Sequence, residues 1–150
     1  MLFRSGPFGT YDGGREKVPA AACRKIIQAV KNNTFEIEIW GDGQQVRSFT
    51  YITDCIEGSI KLMNSDYSHP LNIGSSEMIS INDLYRTIIE VNDLPFEKFR
   101  FTYDLNAPQG VRGRSSNNDV CKKVLDWEPG INFATGIKQT FNWIAKELNY

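Results

Sequence analysis

Histidine and cysteine are scarce in this sequence, and their placement excludes much metal and nucleophile chemistry. There is one histidine, His69, and there are three cysteines, Cys23, Cys55 and Cys121. No two cysteines form a Cys-x-x-Cys pair, so a zinc site lacks its usual donors. A lone histidine leaves no Ser-His-Asp or Cys-His arrangement to assemble. The odd, widely spaced cysteines read as buried or half-buried thiols in a reducing cytoplasm. His69, ahead of Pro70 in a polar stretch, reads as a surface residue. Excess charge is missing too: the net charge is −1, which supplies no general field to recruit nucleic acid or an anionic membrane. No apolar run approaches the length of a membrane span. Met1-Leu2-Phe3-Arg4-Ser5 is too short, and too soon broken by Gly6-Pro7, for a signal peptide. The expectation is a cytoplasmic protein. Neither a Walker motif nor a Gly-x-Gly-x-x-Gly fingerprint occurs. The glycines from Gly9 to Gly14 follow no predicted strand and read as flexible loop.

What is present is an ordinary globular balance of 41% hydrophobic and 23% charged residues over 150 positions, room for one domain. A compact chain of this length buries about 68–70% of the surface that its unfolded form exposes. The first seventeen residues are expected to be loop. Pro19 suits the first turn of a helix, and Ala22, Ile26, Ala29 and Val30 keep helical spacing as far as Asn32-Asn33. Ile37 and Ile39 alternate with Glu36 and Glu38, a strand with one wet face. Gly41-Asp42-Gly43 turns the chain into a β-branched and aromatic strand over residues 46–52.

Thr53 is the expected N-cap of the next helix, with Asp54 and Glu57 in its first turn and Ile56, Ile60 and Met63 on one face. Leu71-Asn72-Ile73-Gly74 reads as a short strand. Ser80-Ile81-Asn82-Asp83 fits a capping box ahead of a helix that carries Leu84, Ile88 and Val91. Phe99, Phe101 and Tyr103 alternate in another strand, and residues 104–116 are loop. A short helix over residues 117–125 ends at Trp127 and Pro129. The last helix places Ile137, Phe141, Ile144 and Leu148 on one stripe. Strands alternate with helices, so the class is α/β, with elements too short for a complete doubly wound sheet.

Five stretches, in order, carry a resemblance. They are Gly6-Pro7-Phe8-Gly9; Trp40-Gly41-Asp42-Gly43 running on through Arg47-Ser48-Phe49 to Asp54; Leu71-Asn72-Ile73-Gly74-Ser75; Gly110-Val111-Arg112-Gly113-Arg114; and Leu125-Asp126-Trp127-Glu128-Pro129 with the closing helix. Together they resemble the extended short-chain dehydrogenase/reductases that act on nucleotide sugars, the NAD-dependent epimerase/dehydratase family. Gly13-Gly14-Arg15-Glu16-Lys17-Val18-Pro19-Ala20-Ala21 is most similar to the branch of 3,5-epimerases acting on GDP-mannose.

The resemblance implies that residues 1–150 are the C-terminal, substrate-binding region of a Rossmann-type enzyme. The NAD-binding half, with its glycine fingerprint and Tyr-x-x-x-Lys pair, is then absent from this chain. The cofactor implied is NAD, the partner a GDP-hexose, and the complete enzyme a homodimer. Separated from its Rossmann sheet, the region is expected to leave an apolar patch uncovered and to be inactive. Glu16, Lys17, Lys25, Gln45, Arg47 and Arg114 fall where that branch contacts its substrate, and Lys17 falls on a catalytic acid/base.

The chemistry gives these types a reason. Oxidation of C4 to a ketone acidifies the C–H bonds at C3 and C5, and inversion then needs a base on one face and an acid on the other. A lysine is suited to delivering a proton to the resulting carbanion, and Arg15 and Lys25 stand near Lys17 in the sequence. Arginine forks suit a pyrophosphate, and Arg47 and Arg114 are expected to reach it from two separate loops. Without the resemblance, Lys17 reads as a solvated lysine ahead of a helix and Arg112 with Arg114 as a surface pair. Trp40 and Trp127 read as core or turn anchors. The rivals are a UDP- or dTDP-sugar 4-epimerase, dehydratase or decarboxylase, or a non-catalytic sugar-nucleotide binding module. The family's Asn-x-Tyr ahead of Gly-Pro is replaced by Phe3-Arg4-Ser5.

Overall fold

A computed structural model describes residues 3–150; Met1 and Leu2, the start of the expected leading loop, lie outside the described residues. The elements in chain order are β1 (Phe3–Ser5), α1 (Val18–Lys31), β2 (Glu36–Trp40), β3 (Val46–Tyr51) and α2 (Ile52–Met63). They continue with β4 (Met78–Ser80), α3 (Ile81–Val91), a single 3₁₀ turn over Phe96–Lys98, β5 (Arg100–Asp104), β6 (Gly113–Arg114), α4 (Asp119–Leu125) and α5 (Phe133–Glu147). β3 is the hub of one sheet: it pairs in parallel with β1 and β6 and antiparallel with β4. β2 and β5 form a separate parallel pair in register from Glu36 opposite Arg100 to Trp40 opposite Asp104. The fold is α/β with short strands, as the alternation of patterns predicts.

The core sits where three helical stripes meet. α3 buries Ile81, Leu84, Tyr85, Ile88 and Ile89, positions spaced so that one face of a 3.6-residue helix is apolar. α1 adds Ala22, Cys23, Ile26 and Ile27, and α5 adds Ile137, Phe141 and Ile144. β2 contributes Ile37 and Ile39 from its dry face, while Glu36 and Glu38 stay in water. Aromatic edges close the ends, with Phe49 against Phe133 and Phe35 against Phe99. All three cysteines are buried and His69 is exposed.

Several expectations are corrected. The leading segment is not all loop, because residues 3–5 pair with residues 49–51 as β1. The glycine-bearing segment therefore does follow a strand. Its glycines still lack the fingerprint spacing, and Lys17 rather than glycine stands at the helix start. α2 begins one residue before Thr53, with Tyr51 as N-cap. Asp54 is buried instead, and its Oδ2 accepts the Ile131 amide at 2.9 Å, stitching α2 to the segment ahead of α5. Leu71–Gly74 forms no strand: the Gly74 carbonyl accepts from the Asn118 side chain and the Ser75 amide donates to Thr50 Oγ1, so side chains take the place of a ladder. The expected loop over residues 104–116 contains β6. Trp127 is buried, but Trp40 is 55% exposed and serves only as a turn anchor through its carbonyl, which accepts from Gln45 Nε2. The stripe of α2 formed by Ile56, Ile60 and Met63 faces out of this body, at 51%, 51% and 82% exposure.

Candidate functional site

The six residues expected to meet substrate fall into two groups joined at the end of β2. The first gathers at the N-terminus of α1. Lys17 is its N-cap, in extended conformation and exposed, with no side-chain cap bond. Glu16 just before it is mostly buried, with one oxygen 3.2 Å from Arg24 Nη2 and the other, Oε2, buried without a hydrogen-bond partner among the described residues. The Glu16 carboxyl is held below its ordinary range, first by its own backbone amide and then by the Gly14 amide and Arg24, against the opposing effect of burial. Lys25, half-buried two turns into α1, donates to the Glu38 carbonyl at 2.7 Å. Burial lowers its pKa; Arg24 adds to that, while Glu38 and Glu16 oppose it.

The second group lies at the end of the turn ahead of β3, on β3 itself and on β6. Gln45 is 7% exposed; its Nε2 donates to the Trp40 carbonyl at 3.1 Å, and its Oε1 is a second buried acceptor with no partner among the described residues. Arg47 is 8% exposed on β3. Its Nη1 donates to its neighbour's carbonyl, Val46 O, at 2.7 Å, and its Nη2 donates to Gln109 O at 3.4 Å. β6 sets Arg114 directly opposite Arg47 in register. Residues opposite each other in a ladder share a face, so the two arginines leave the sheet on the same side, Arg47 buried and Arg114 exposed. Neither forms an ion pair among the described residues. Burial, and then the Arg114 charge, lower the pKa of Arg47. The expected approach from two separate loops is therefore corrected: both arginines stand on paired strands.

The turn ahead of β3 fixes this group. Gly41 has φ +78, and a side chain there would run into that of Gln109. The residue 105–112 loop thus lies close over the turn, and Arg112 clamps it to Asp42 at 2.6 Å. Arg112 is not part of the expected set, and its partner makes it a latch instead of a free anion contact. A hydrogen-bonded path links the two groups: Lys25 to the Glu38 carbonyl, Trp40 Nε1 to Glu38 Oε1, and Gln45 to the Trp40 carbonyl. An open cavity of about 320 Å³ between Ser75, Glu77, Asn118 and residues 128–132 contains none of the six.

What the arrangement offers is a pair of uncompensated arginines, two buried acceptors awaiting donors, and an exposed lysine beside one of those acceptors. An anion suits the arginines, and hydroxyl or N–H groups suit the acceptors. Among the described residues no cluster of metal-binding side chains occurs, and no helix is long and apolar enough to cross a membrane.

Comparison with known proteins bears on the family and the fold. The chain is 43% identical over 143 residues to the GDP-mannose 3,5-epimerase of Arabidopsis thaliana, covering 95% of this chain and 36% of that protein. It is 33% identical over 138 residues to a dTDP-4-dehydro-6-deoxy-D-allose reductase of Streptomyces bikiniensis, covering 92% of this chain and 40% of that one. It thus spans well under half the length of these relatives. Its fold matches the UDP-glucose 4-epimerase of Thermotoga maritima, solved with UDP-glucose, at a TM-score of 0.85 and 24% identity over 98% of this chain and 45% of that chain. The sequence profile described as GDP-mannose 4,6 dehydratase matches residues 8–140. With that profile spanning most of its length, the chain belongs to the GDP-mannose 4,6 dehydratase family, among the nucleotide-sugar epimerases and dehydratases of the extended short-chain dehydrogenase/reductase fold.

Proposed function

We propose that residues 1–150 are the substrate-binding region of an NAD-dependent nucleotide-sugar epimerase that acts on GDP-mannose. The observation that carries this reading is the register-paired Arg47 and Arg114, a built anion site without a carboxylate partner among the described residues. The diphosphate of a sugar nucleotide fits it, and the planar fork of each guanidinium matches paired phosphate oxygens. Glu16 Oε2 and Gln45 Oε1 accept from hydroxyl or N–H groups of the ligand. NAD is held by a Rossmann half outside this sequence, and its chemistry is the oxidation of C4 to a ketone. The part that falls to this chain is proton exchange at C3 or C5, where the exposed Lys17 ammonium donates or its amine accepts the ring proton on one face. The opposite face is served from the Rossmann half, in an enzyme that is homodimeric and cytoplasmic.

The similarity at residues 13–21 favours a GDP-hexose over a UDP- or dTDP-sugar. The test is titration calorimetry of the chain with GDP and with GDP-mannose, repeated for Arg47→Lys and Arg114→Lys. A charged hydrogen bond is worth about 1.5–3 kcal/mol, so each variant weakens both ligands about 10- to 150-fold. GDP binding unchanged while GDP-mannose weakens places the arginines on the hexose and overturns the assignment.

A further inference from the structure

We propose that Arg24 is the positioning residue of this site: its guanidinium cross-links residues 11–16 to α1, fixing the segment that presents Glu16 and Lys17 to the hexose. The inference rests on the reading of Glu16 and Lys17 as the sugar end of the nucleotide-sugar site.

Arg24 lies on α1, and its side chain is only 17% exposed. It makes contacts in four directions. Nε donates to the Tyr11 carbonyl at 3.0 Å and lies 3.5 Å from Asp12 Oδ1. Nη2 meets Glu16 Oε1 at 3.2 Å, and Nη1 donates to Gln28 Oε1, one turn further along α1, at 3.0 Å. The last contact locks the fork to the helix, and the others pull both ends of the segment onto it.

Within the segment the Glu16 carboxyl also draws on its own backbone amide and that of Gly14, and the Gly13 amide donates to Asp12 Oδ1 at 2.9 Å, but these bonds do not reach α1. Tyr11 rests its ring edge-on against Trp143 of α5, 5.5 Å between centroids, so the chain is anchored as far as residue 11. Beyond it Gly13 and Gly14 adopt φ +89 and +81, and a Cβ built at either meets nothing within 4 Å. Two glycines in open space have much conformational freedom to lose. The Asp12 and Glu16 carboxylates and the Tyr11 carbonyl converge on one guanidinium, which ties residues 11–16 to α1. Of the two Glu16 oxygens, Oε1 meets Arg24, and Oε2 is buried with no hydrogen-bond partner among the described residues. A lysine at position 24 keeps the charge and lacks the fork, so it cannot reach these points together.

The experiment compares the wild-type chain with Arg24→Gln, Arg24→Lys and Glu16→Gln by two readouts. Hydrogen exchange is followed at the amides of residues 12–16, with α5 amides as the folding control. Affinity is measured for GDP and for GDP-mannose. In Arg24→Gln the segment is expected to exchange at least about tenfold faster while α5 is unchanged, because a charged tether of this kind is lost. GDP affinity is expected to hold, while the extra affinity that the mannose moiety confers falls about tenfold or more. Arg24→Lys follows Arg24→Gln. Should α5 also exchange faster in Arg24→Gln, Glu16→Gln removes the same ion pair from the loop side and must reproduce the loss. Unchanged exchange at residues 12–16 overturns the tether whatever the ligand does. Faster exchange with GDP-mannose still bound as tightly overturns the positioning role. Wild-type behaviour of Arg24→Lys overturns the fork. A wild-type chain that binds neither ligand, yet shows the exchange effect, overturns the nucleotide-sugar reading and leaves Arg24 a loop tether without the positioning role.

Discussion

α3 and α2 have similar lengths and opposite fates. α3 turns Ile81, Leu84, Tyr85, Ile88 and Ile89 inward, and each is almost wholly buried. α2 buries Asp54, Cys55 and Gly58 and turns Ile56, Ile60 and Met63 outward. Both carry an apolar stripe at helical spacing, so periodicity alone does not separate them. The difference lies in what the rest of the chain offers: α3 meets α1 and α5, whereas the stripe of α2 is left half or more exposed among the described residues. An apolar face of this kind on an amphipathic helix is suited to cover by another surface.

Three substitutions break or sharpen that contrast. The largest effect is expected in the α1–α3–α5 core. Ile88→Ala leaves a cavity among fully buried neighbours and lowers unfolding free energy by about 2–5 kcal/mol, read from urea or thermal melts. Second comes the inner side of α2. A Cβ on Gly58 would stand 2.7 Å from the Ile73 side chain and 2.9 Å from the Trp127 ring. Gly58→Val should overpack that contact at a cost of about 1–3 kcal/mol. A melt as stable as the wild type would show that Trp127 gives way freely. The smallest effect is expected on the outer side: Ile60→Ser should stay within about 0.5 kcal/mol of wild type in the same melts. A loss comparable to that of Ile88→Ala would mean that the α2 stripe is covered in solution.

The same contrast marks what sequence can and cannot reveal. α1, α3 and α5 are legible because burial writes its period into the chain, and the Ser80 cap is legible because its hydroxyl accepts the Asp83 amide three residues on. β2 is legible from alternation. β1 is not, because three residues hold no period and their partners are some 46 positions away. Leu71–Gly74 alternates like a strand, yet Thr50 and Asn118 satisfy its neighbourhood through side chains that no local pattern announces. At the site, residue types came through resemblance, but their grouping did not. β6 is two residues long, and only its register reveals that Arg114 stands beside Arg47. Arg24 escapes notice because a single position on a helix shows no sign of the converging loop it holds.

The pairing of β6 with β3 sets like charges together, so the docking of this short strand works against electrostatic repulsion. Added salt shortens the reach of that repulsion, to about 8 Å at 0.15 M ionic strength. A bound polyanion removes it outright. With the pair read as the proposed anion site, strand docking and anion capture are linked equilibria: an anion on the two arginines would also hold residues 113–114 in the sheet, and by reciprocity a well-docked strand would raise affinity for the anion. The loop leading into β6, latched by Arg112 to Asp42, thereby becomes an element whose order reports on occupancy.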